Sequence, residues 1–584
     1  MNCPSRTDET LEHPDWNQNP SPLNPDITTR NDFNGFANSK VHRKHASGVG
    51  VNPGEGTMVI ESQQIQQRSK TDPEKEKTTG EVVTAASGTC EQQPETDSGP
   101  PRRSFYKKIS NFSISSCFQD VIRSIVKFSR FVGPGFLVAV AYIDPGNYST
   151  DVAAGAQYQY ALLFIVLVAN LFAVYLQSLC VKLGTVTGLN LAENCKEHLP
   201  KWMVIILYIF SEAAIVATDI AEVIGSAIAL NLLLNIPLVA GCAITLADVL
   251  FLLIFYRPNG AMWGLRLFEL FVMALVLGVV VCFCIQLALI KDQSVGHVLR
   301  GYVPSSAVVQ SQGLYQSCGI LGATVMPHSL FLGSGVVQAR LKDFDVTQGY
   351  VDASVPLGSN GGEVEYRPSF AAIRSCMKYS IIELTLSLFT FALFVNSAIL
   401  IVAGAALYGK PGADEADLWG IHDLLSDSIA PAAGLIFALA LLLSGISAGI
   451  VCTMAGQMVS EGMLNWSIRP WLRRVITRSI SIVPSIIIAA AVGKKGLDKT
   501  LNASQVVLSV ILPFVTAPLI YFTCRNRYMT VPTDRTVHGE GHPQPEGVGM
   551  RNNILMCILG VIIWLIIAVM NVALLVLIGM GKAS

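Results

Sequence analysis
Two short stretches of this chain set metal-ligating atoms beside residues that break helices. Asp144-Pro145-Gly146-Asn147 interrupts one apolar run, and Met326-Pro327-His328 interrupts another. A carboxylate and an amide oxygen suit many cations, whereas a thioether sulfur is a soft ligand that favours transition metals over calcium or magnesium. Asp144, Asn147, Met326 and His328 are therefore potential ligands of a transition-metal ion. A lone proline ordinarily just kinks a helix, and a methionine ordinarily fills a gap in a core. Neither accounts for Asp144, because a carboxylate at membrane depth costs about 2.5–3.5 kcal/mol on insertion scales and needs a compensating partner.

A second chemical pattern lies in FSEAAIVATDIAEVIGSA. Glu212, Asp219 and Glu222 are spaced by seven and three residues, so all three project from one face of a helix. Buried acids of this kind suit proton exchange unless a basic group pairs with them; Arg473 and Arg474 are the basic groups expected to offer such pairing. His328 is a further proton-handling group, since imidazole titrates near neutral pH. Its place two residues beyond Met326 turns it to another side of the helix, and its neighbours, with the family pattern named below, favour a proton-pathway or gating role over metal ligation. Asp151 is expected at the outer vestibule of the first break. Asp248, Glu269 and Glu383 are expected to pair with backbone or loop charges.

The elements that must position these groups are membrane helices. The chain has 584 residues, 51% hydrophobic and 14% charged, where a soluble protein carries about 25% charged residues. A formal net charge of −1 suggests no nucleic-acid partner. The thirteen cysteines form no CxxC pair, so neither a disulfide framework nor a zinc site is expected. Residues 1–125 are polar and charged, as in QQIQQRSKTDPEKEKTTGE, and are expected to be a disordered cytoplasmic tail. From about 128 onward, eleven apolar stretches are long enough to span a bilayer: about 128–157, 159–183, 202–232, 238–256, 265–290, 312–337, 378–408, 430–464, 472–492, 501–524 and 552–580. No alternating strand pattern appears among them. Residues 126–584 thus read as an all-α polytopic membrane domain, with a core at about 128–525 and an extra helix at about 552–580. Lys and Arg concentrate in the loops after even-numbered spans, among them Lys182, Arg257, Arg340, Arg525 and Arg551, which places the N-terminus in the cytoplasm.

The two breaks fall in spans one and six. These are corresponding positions if ten spans form two five-helix halves, and discontinuous helices so placed point to a transporter's midplane site.

These residues resemble the natural resistance-associated macrophage protein family of proton-coupled divalent metal transporters. DPGN and MPHS look like its paired signatures, and ATDIAEVIG, GATVMPHSLFLGS, LFALALLLSG, TMAGQMVSEG, RRVITR and SQVVLSVILPF extend the match in order over most of 128–525. MPHSLFLGS and its surroundings are similar to the yeast and fungal manganese-transporter branch. The resemblance implies an inverted five-plus-five (LeuT-like) repeat and symport of manganese, ferrous iron and related ions with protons by alternating access. It also implies a ligand set: the Asp144 carboxylate, the Asn147 amide oxygen, the Met326 sulfur and the Ala323 carbonyl, with Gln505 joining as the outer side closes. The metal is then cargo, and no cofactor is implied. Relatives often read SGQSS where this chain has Ser444-Gly445-Ile446-Ser447-Ala448, a change outside that ligand set.

Two other functions remain open at this point. A sodium-coupled carrier of small organic molecules would share the scaffold, although Asp144 would repel an organic carboxylate. A metal-sensing receptor would signal through the long tail, whose lysines also suit ubiquitin-ligase machinery. An enzyme is not expected, since no nucleophile and base are placed to act together. The membrane served is plasma, endosomal or vacuolar.

Overall fold
Pro145 and Pro327 are the first residues of helices, not the middles of unwound segments. Proline lacks the N–H that the first turn leaves unused, and its fixed φ already suits a helix. The interruption expected at Asp144 to Asn147 therefore lies one turn earlier, at 141–144, and Asn147 is helical.

The computed structural model describes residues 133–582 apart from 254–261, 292, 356, 358–365, 412–417, 465–469, 492 and 532–546, so the expected tail at 1–125 lies outside the described residues. The helices in order are α1 (Pro134–Val140), α2 (Pro145–Tyr158), α3 (Leu163–Thr187), α4 (Leu191–His198), α5 (Lys201–Leu234), α6 (Leu238–Leu253), α7 (Met262–Leu289), α8 (Val295–Arg300) and α9 (Ser311–Thr324). They continue as α10 (Pro327–Gly335), α11 (Val337–Thr347), α12 (Phe370–Ser387), α13 (Leu393–Ala406), α14 (Leu418–Ser428), α15 (Pro431–Leu464), α16 (Pro470–Ala491), α17 (Gly493–Thr523) and α18 (Ile554–Gly579). Among the described residues the only strands are Thr530–Val531 and Val548–Gly549, an antiparallel pair between α17 and α18.

Among the described residues, eight segments are long and apolar enough to cross a membrane: α3, α5, α7, the α9–α11 run, the α12–α13 run, α15, α17 and α18. The three other apolar stretches are also helical. One is split into α1 and α2, α6 has 16 residues, and α16 opens on a basic turn. Apolar side chains cover much of the outside, with Leu555 75% and Val569 65% exposed on α18. Water would penalise such a surface at about 25 cal/mol per Å², whereas hydrocarbon does not. This is a multi-pass membrane protein.

Packing shows the two halves exchanging roles. Span one packs on span seven through α2 and α13, and span six packs on span two through α10 and α3. Likewise α5 of span three packs on α17 of span ten, while α15 of span eight packs on α7 of span five. Moving each partner by five spans turns one pair into the other.

The seven-residue α1 is gripped at its start. The Glu383 carboxylate of α12 accepts the backbone N–H of Gly133 and of Gly135, each at 2.9 Å. Beside it Arg340 donates to Glu269 at 2.5 Å, so both acids have the partners expected of them; the side chain of Asp248 lies outside the described residues. Gly133, at φ +146, takes a backbone that other residues avoid. Glu383→Ala would leave these buried donors orphaned, at a cost of about 1–3 kcal/mol. Its melting temperature in detergent should fall clearly, while Glu383→Gln, which keeps an acceptor oxygen, should fall less.

Candidate metal centre
The first break can be followed atom by atom. Helix α1 ends in tight turns, with Tyr142 and Ile143 donating to the Ala139 and Val140 carbonyls at 3.1 Å. In a continuous helix the N–H groups of Gly146 and Asn147 would go to the carbonyls of Tyr142 and Ile143. Here the Asp144 side chain takes both instead, each at 3.1 Å, as the cap of α2. The two carbonyls left over find side-chain donors. Tyr142 O accepts from Asn396 at 3.1 Å and from Asn147 at 3.2 Å, and Ile143 O accepts from Ser444 at 2.9 Å.

The second break frees a different oxygen. The helical donor for Ala323 O would be residue 327, which is proline and has no N–H. That carbonyl accepts from Asn147 Nδ2 at 3.1 Å, and the same nitrogen donates to Asp144 Oδ1 at 2.6 Å. Three of the residues expected in one ligand set, Asp144, Asn147 and Ala323, thus meet across two discontinuous helices, and all are fully buried. The amide nitrogen lies between the two oxygens. Asn147 Oδ1 faces the other way, toward Asn396 at 3.4 Å and Thr324 at 3.5 Å.

Met326 is the cap residue of α10, completely buried, three residues past Ala323. Gln505 of α17 packs over Gly146 beside the Asp144 carboxylate; a β-carbon at 146 would overlap both. Its Oε1 is buried without a hydrogen bond. The Asp144 carboxylate and the Ala323 carbonyl, with the Gln505 amide packed beside the carboxylate, are oxygen donors that could hold a divalent cation, and Met326 would add a thioether that favours a transition metal.

Asp219 and Glu222 lie buried on α5, as their spacing implied. Their partner is Arg478 of α16, which forms an ion pair with Asp219 and lies 3.6 Å from Glu222. Arg473 and Arg474 begin the same helix, but their side chains lie outside the described residues. Arg478, the last residue of RRVITR, takes the place expected of Arg473 or Arg474, and its sequence neighbours do not set it apart from them. Cys452 of α15 joins the group, its sulfur within 4.8 Å of the carboxylates. The single guanidinium offsets one of their two charges. Glu212 is half-buried and hydrogen-bonded to Tyr208 one turn back. His328, 1% exposed, brings Nδ1 to 3.3 Å from Thr218, the residue before Asp219. It therefore stands between the second break and the acidic face.

Other polar groups join the two breaks directly. Gln177 of α3 donates to Tyr142 at 2.9 Å and to Ser329 at 3.0 Å, and the Tyr142 and Ser329 hydroxyls lie 3.1 Å apart. Polar residues inside apolar spans, such as Gln177, Asn396 and Ser444, were the available signal. Ile446, where SGISA departs from relatives, is half-buried against apolar neighbours. Asp151 is sealed in, not open to a vestibule.

Known proteins are similar to this chain over most of its length. The family model described as natural resistance-associated macrophage protein-like matches residues 135–537. "Manganese transporter pdt1" of Schizosaccharomyces pombe is 54% identical over 78% of this chain and 87% of its own. "Iron transporter SMF3" of Saccharomyces cerevisiae is 52% identical over 71% and 85%, respectively. The crystal structure of the Eremococcus coleocola manganese transporter superposes with a TM-score of 0.62 at 31% identity, covering 77% of this chain and 86% of that one. With the model spanning the breaks, the acidic face and Gln505 alike, this chain belongs to the natural resistance-associated macrophage protein-like family, Nramp.

Proposed function
We propose that this protein moves divalent transition-metal ions, manganese first and ferrous iron with it, across a membrane into the cytoplasm together with protons by alternating access. The observation that carries this reading is the meeting of Asp144, Asn147 and Ala323 where two broken helices face each other. Relatives named as manganese and iron transporters support the choice of metals. Asp144, Asn147 and Ala323 hold the ion with Met326, and the free Gln505 oxygen completes the shell as the outer side closes. For this Asn147 turns its amide over, so that oxygen replaces nitrogen between the two other ligands.

Asp144 is the group at which metal and proton exchange, and His328, Asp219 and Glu222 lead protons toward the cytoplasm. Glu212, Arg473 and Arg474 gate that route at its inner end. One metal ion and one proton carry three charges, so a potential of 100 mV, negative inside, contributes about 7 kcal/mol at roughly 2.3 per charge. That bounds accumulation at about five decades. Residues 126–584 form the transporter domain in the lipid bilayer, and residues 1–125 form a cytoplasmic tail whose lysines suit ubiquitin-ligase control.

Uptake of radioactive manganese into vesicles holding the full-length protein tests the reading. Acid outside should accelerate uptake, a sodium gradient should not, and sodium-driven uptake indifferent to pH would overturn it. Met326→Ala should retain part of the manganese transport while discrimination against calcium and magnesium falls by about tenfold, the effect of 1.4 kcal/mol. Competition by those two ions in the same vesicles measures this. Unchanged competition would remove the argument from sulfur.

A further inference from the structure
Buried carboxylates in this fold have partners, and the partners explain them. Glu193 closes the capping box of α4, Glu269 meets Arg340, and Glu383 holds the start of α1. Asp345 accepts from Tyr366 and Ser369, Asp219 and Glu222 face Arg478, and Asp144 caps α2. Asp151 is the exception among the described residues. Its exposure is 0%, and neither carboxylate oxygen has a hydrogen-bond partner.

Its neighbours on α2 do not serve it. Thr150 donates to the carbonyls of Gly146 and Asn147 at 3.1 and 3.3 Å, and the Asn147 amide is committed at the break. Asp151 stands one turn beyond Asn147 and two turns beyond Asp144, so the three share a helix face. At 1.5 Å per residue it lies about 10 Å farther along α2 than Asp144. One turn farther still, Gly155 abuts the Leu400 carbonyl and Ala403 of α13, which closes this face of α2 in the present conformation. The other carboxylate on this face of α2 is that of Asp144. Two acids that repel each other along one face both attract a dication, and a dication removes the repulsion.

We propose that Asp151 is a second binding site for the transported divalent cation, on the outer arm of the first span, which takes the ion before Asp144 does. The present conformation closes this face of α2, so the ion reaches Asp151 when the outer side opens, and it keeps most of its water there because no second protein charge stands beside the carboxylate. This inference rests on the transport reading.

The test begins with wild-type manganese uptake into vesicles under an inward acid gradient; failure at that step removes the transport reading itself. Given wild-type uptake, Asp151→Asn should raise the KM for manganese by about fivefold or more with the maximal rate within about twofold, as expected when binding alone is lost. Asp151→Glu should restore the KM, and Asp151→Ser should repeat the Asn result without the amide. In purified full-length protein, Asp144→Ala should still bind radioactive manganese weakly, and adding Asp151→Asn should abolish that binding. A KM equal to wild type in both neutral variants, or residual binding indifferent to Asp151, would overturn the proposal. So would an effect confined to the pH dependence of uptake, which would make Asp151 a proton group.

Discussion
Asp144→Ala should lower manganese uptake by at least about a hundredfold, corresponding to about 2.8 kcal/mol, while leaving a folded protein. Asp144 has two tasks that the structure separates. Its oxygens accept the N–H groups of Gly146 and Asn147, so it caps α2. It is also the anionic member of the group where the breaks meet. Losing a cap costs about 0.5–2 kcal/mol, but the substitution also removes a buried carboxylate, so net stability should change little. Asp144→Asn sharpens the test, because asparagine caps a helix as well as aspartate does. That variant should melt like the wild type and still fail to transport. An Asp144→Asn protein that carried manganese at half the wild-type rate would show that charge at this position is dispensable, and the coupling scheme would fall with it.

Arg478→Ala should be the most destabilising change at the acidic face. The guanidinium is 2% exposed and serves both Asp219 and Glu222. Removing one partner of a buried ion pair costs about 3–5 kcal/mol, because the other charge stays behind without compensation. Here two carboxylates would be stranded, and holding protons permanently would relieve them. Surviving protein should therefore show manganese uptake much less responsive to external acid. Arg478→Lys keeps the charge but lacks the planar fork that spans two carboxylates, and should fall between. Thermal unfolding together with uptake at two pH values measures both effects. Full pH responsiveness in a stable Arg478→Ala protein would exclude Asp219 and Glu222 from the proton route.

Much of this was legible in the chain because the informative signals were local. Pro145 and Pro327 announced the two breaks, and the residues around them named the chemistry. The seven-and-three spacing of Asp219 from its neighbours put three acids on one face. Other features depend on distant segments and were not legible. Arg478 finds Asp219 only when span nine folds beside span three, and nothing in RRVITR distinguishes its last arginine from its first two. Asn396 and Ser444 acquire a task only once the carbonyls of Tyr142 and Ile143 are known to be free. The helical state of Asn147 follows from Pro145 being a good first residue of a helix, a local rule as readable in the chain as the break itself. Asp151 was visible as an acid in an apolar span, but its want of a partner is a property of the folded chain alone.

The Asn147 amide has a consequence for the journey without cargo. With its nitrogen between Asp144 and the Ala323 carbonyl, its amide hydrogens tie together the two oxygens that face each other across the breaks. Under the proposed reading these bonds let a carrier that has released its metal reset with its two breaks tied to each other. The same bonds set an entrance threshold. An ion that cannot outcompete two amide hydrogens for those oxygens leaves the amide as it is, so the resting site itself turns weak binders away.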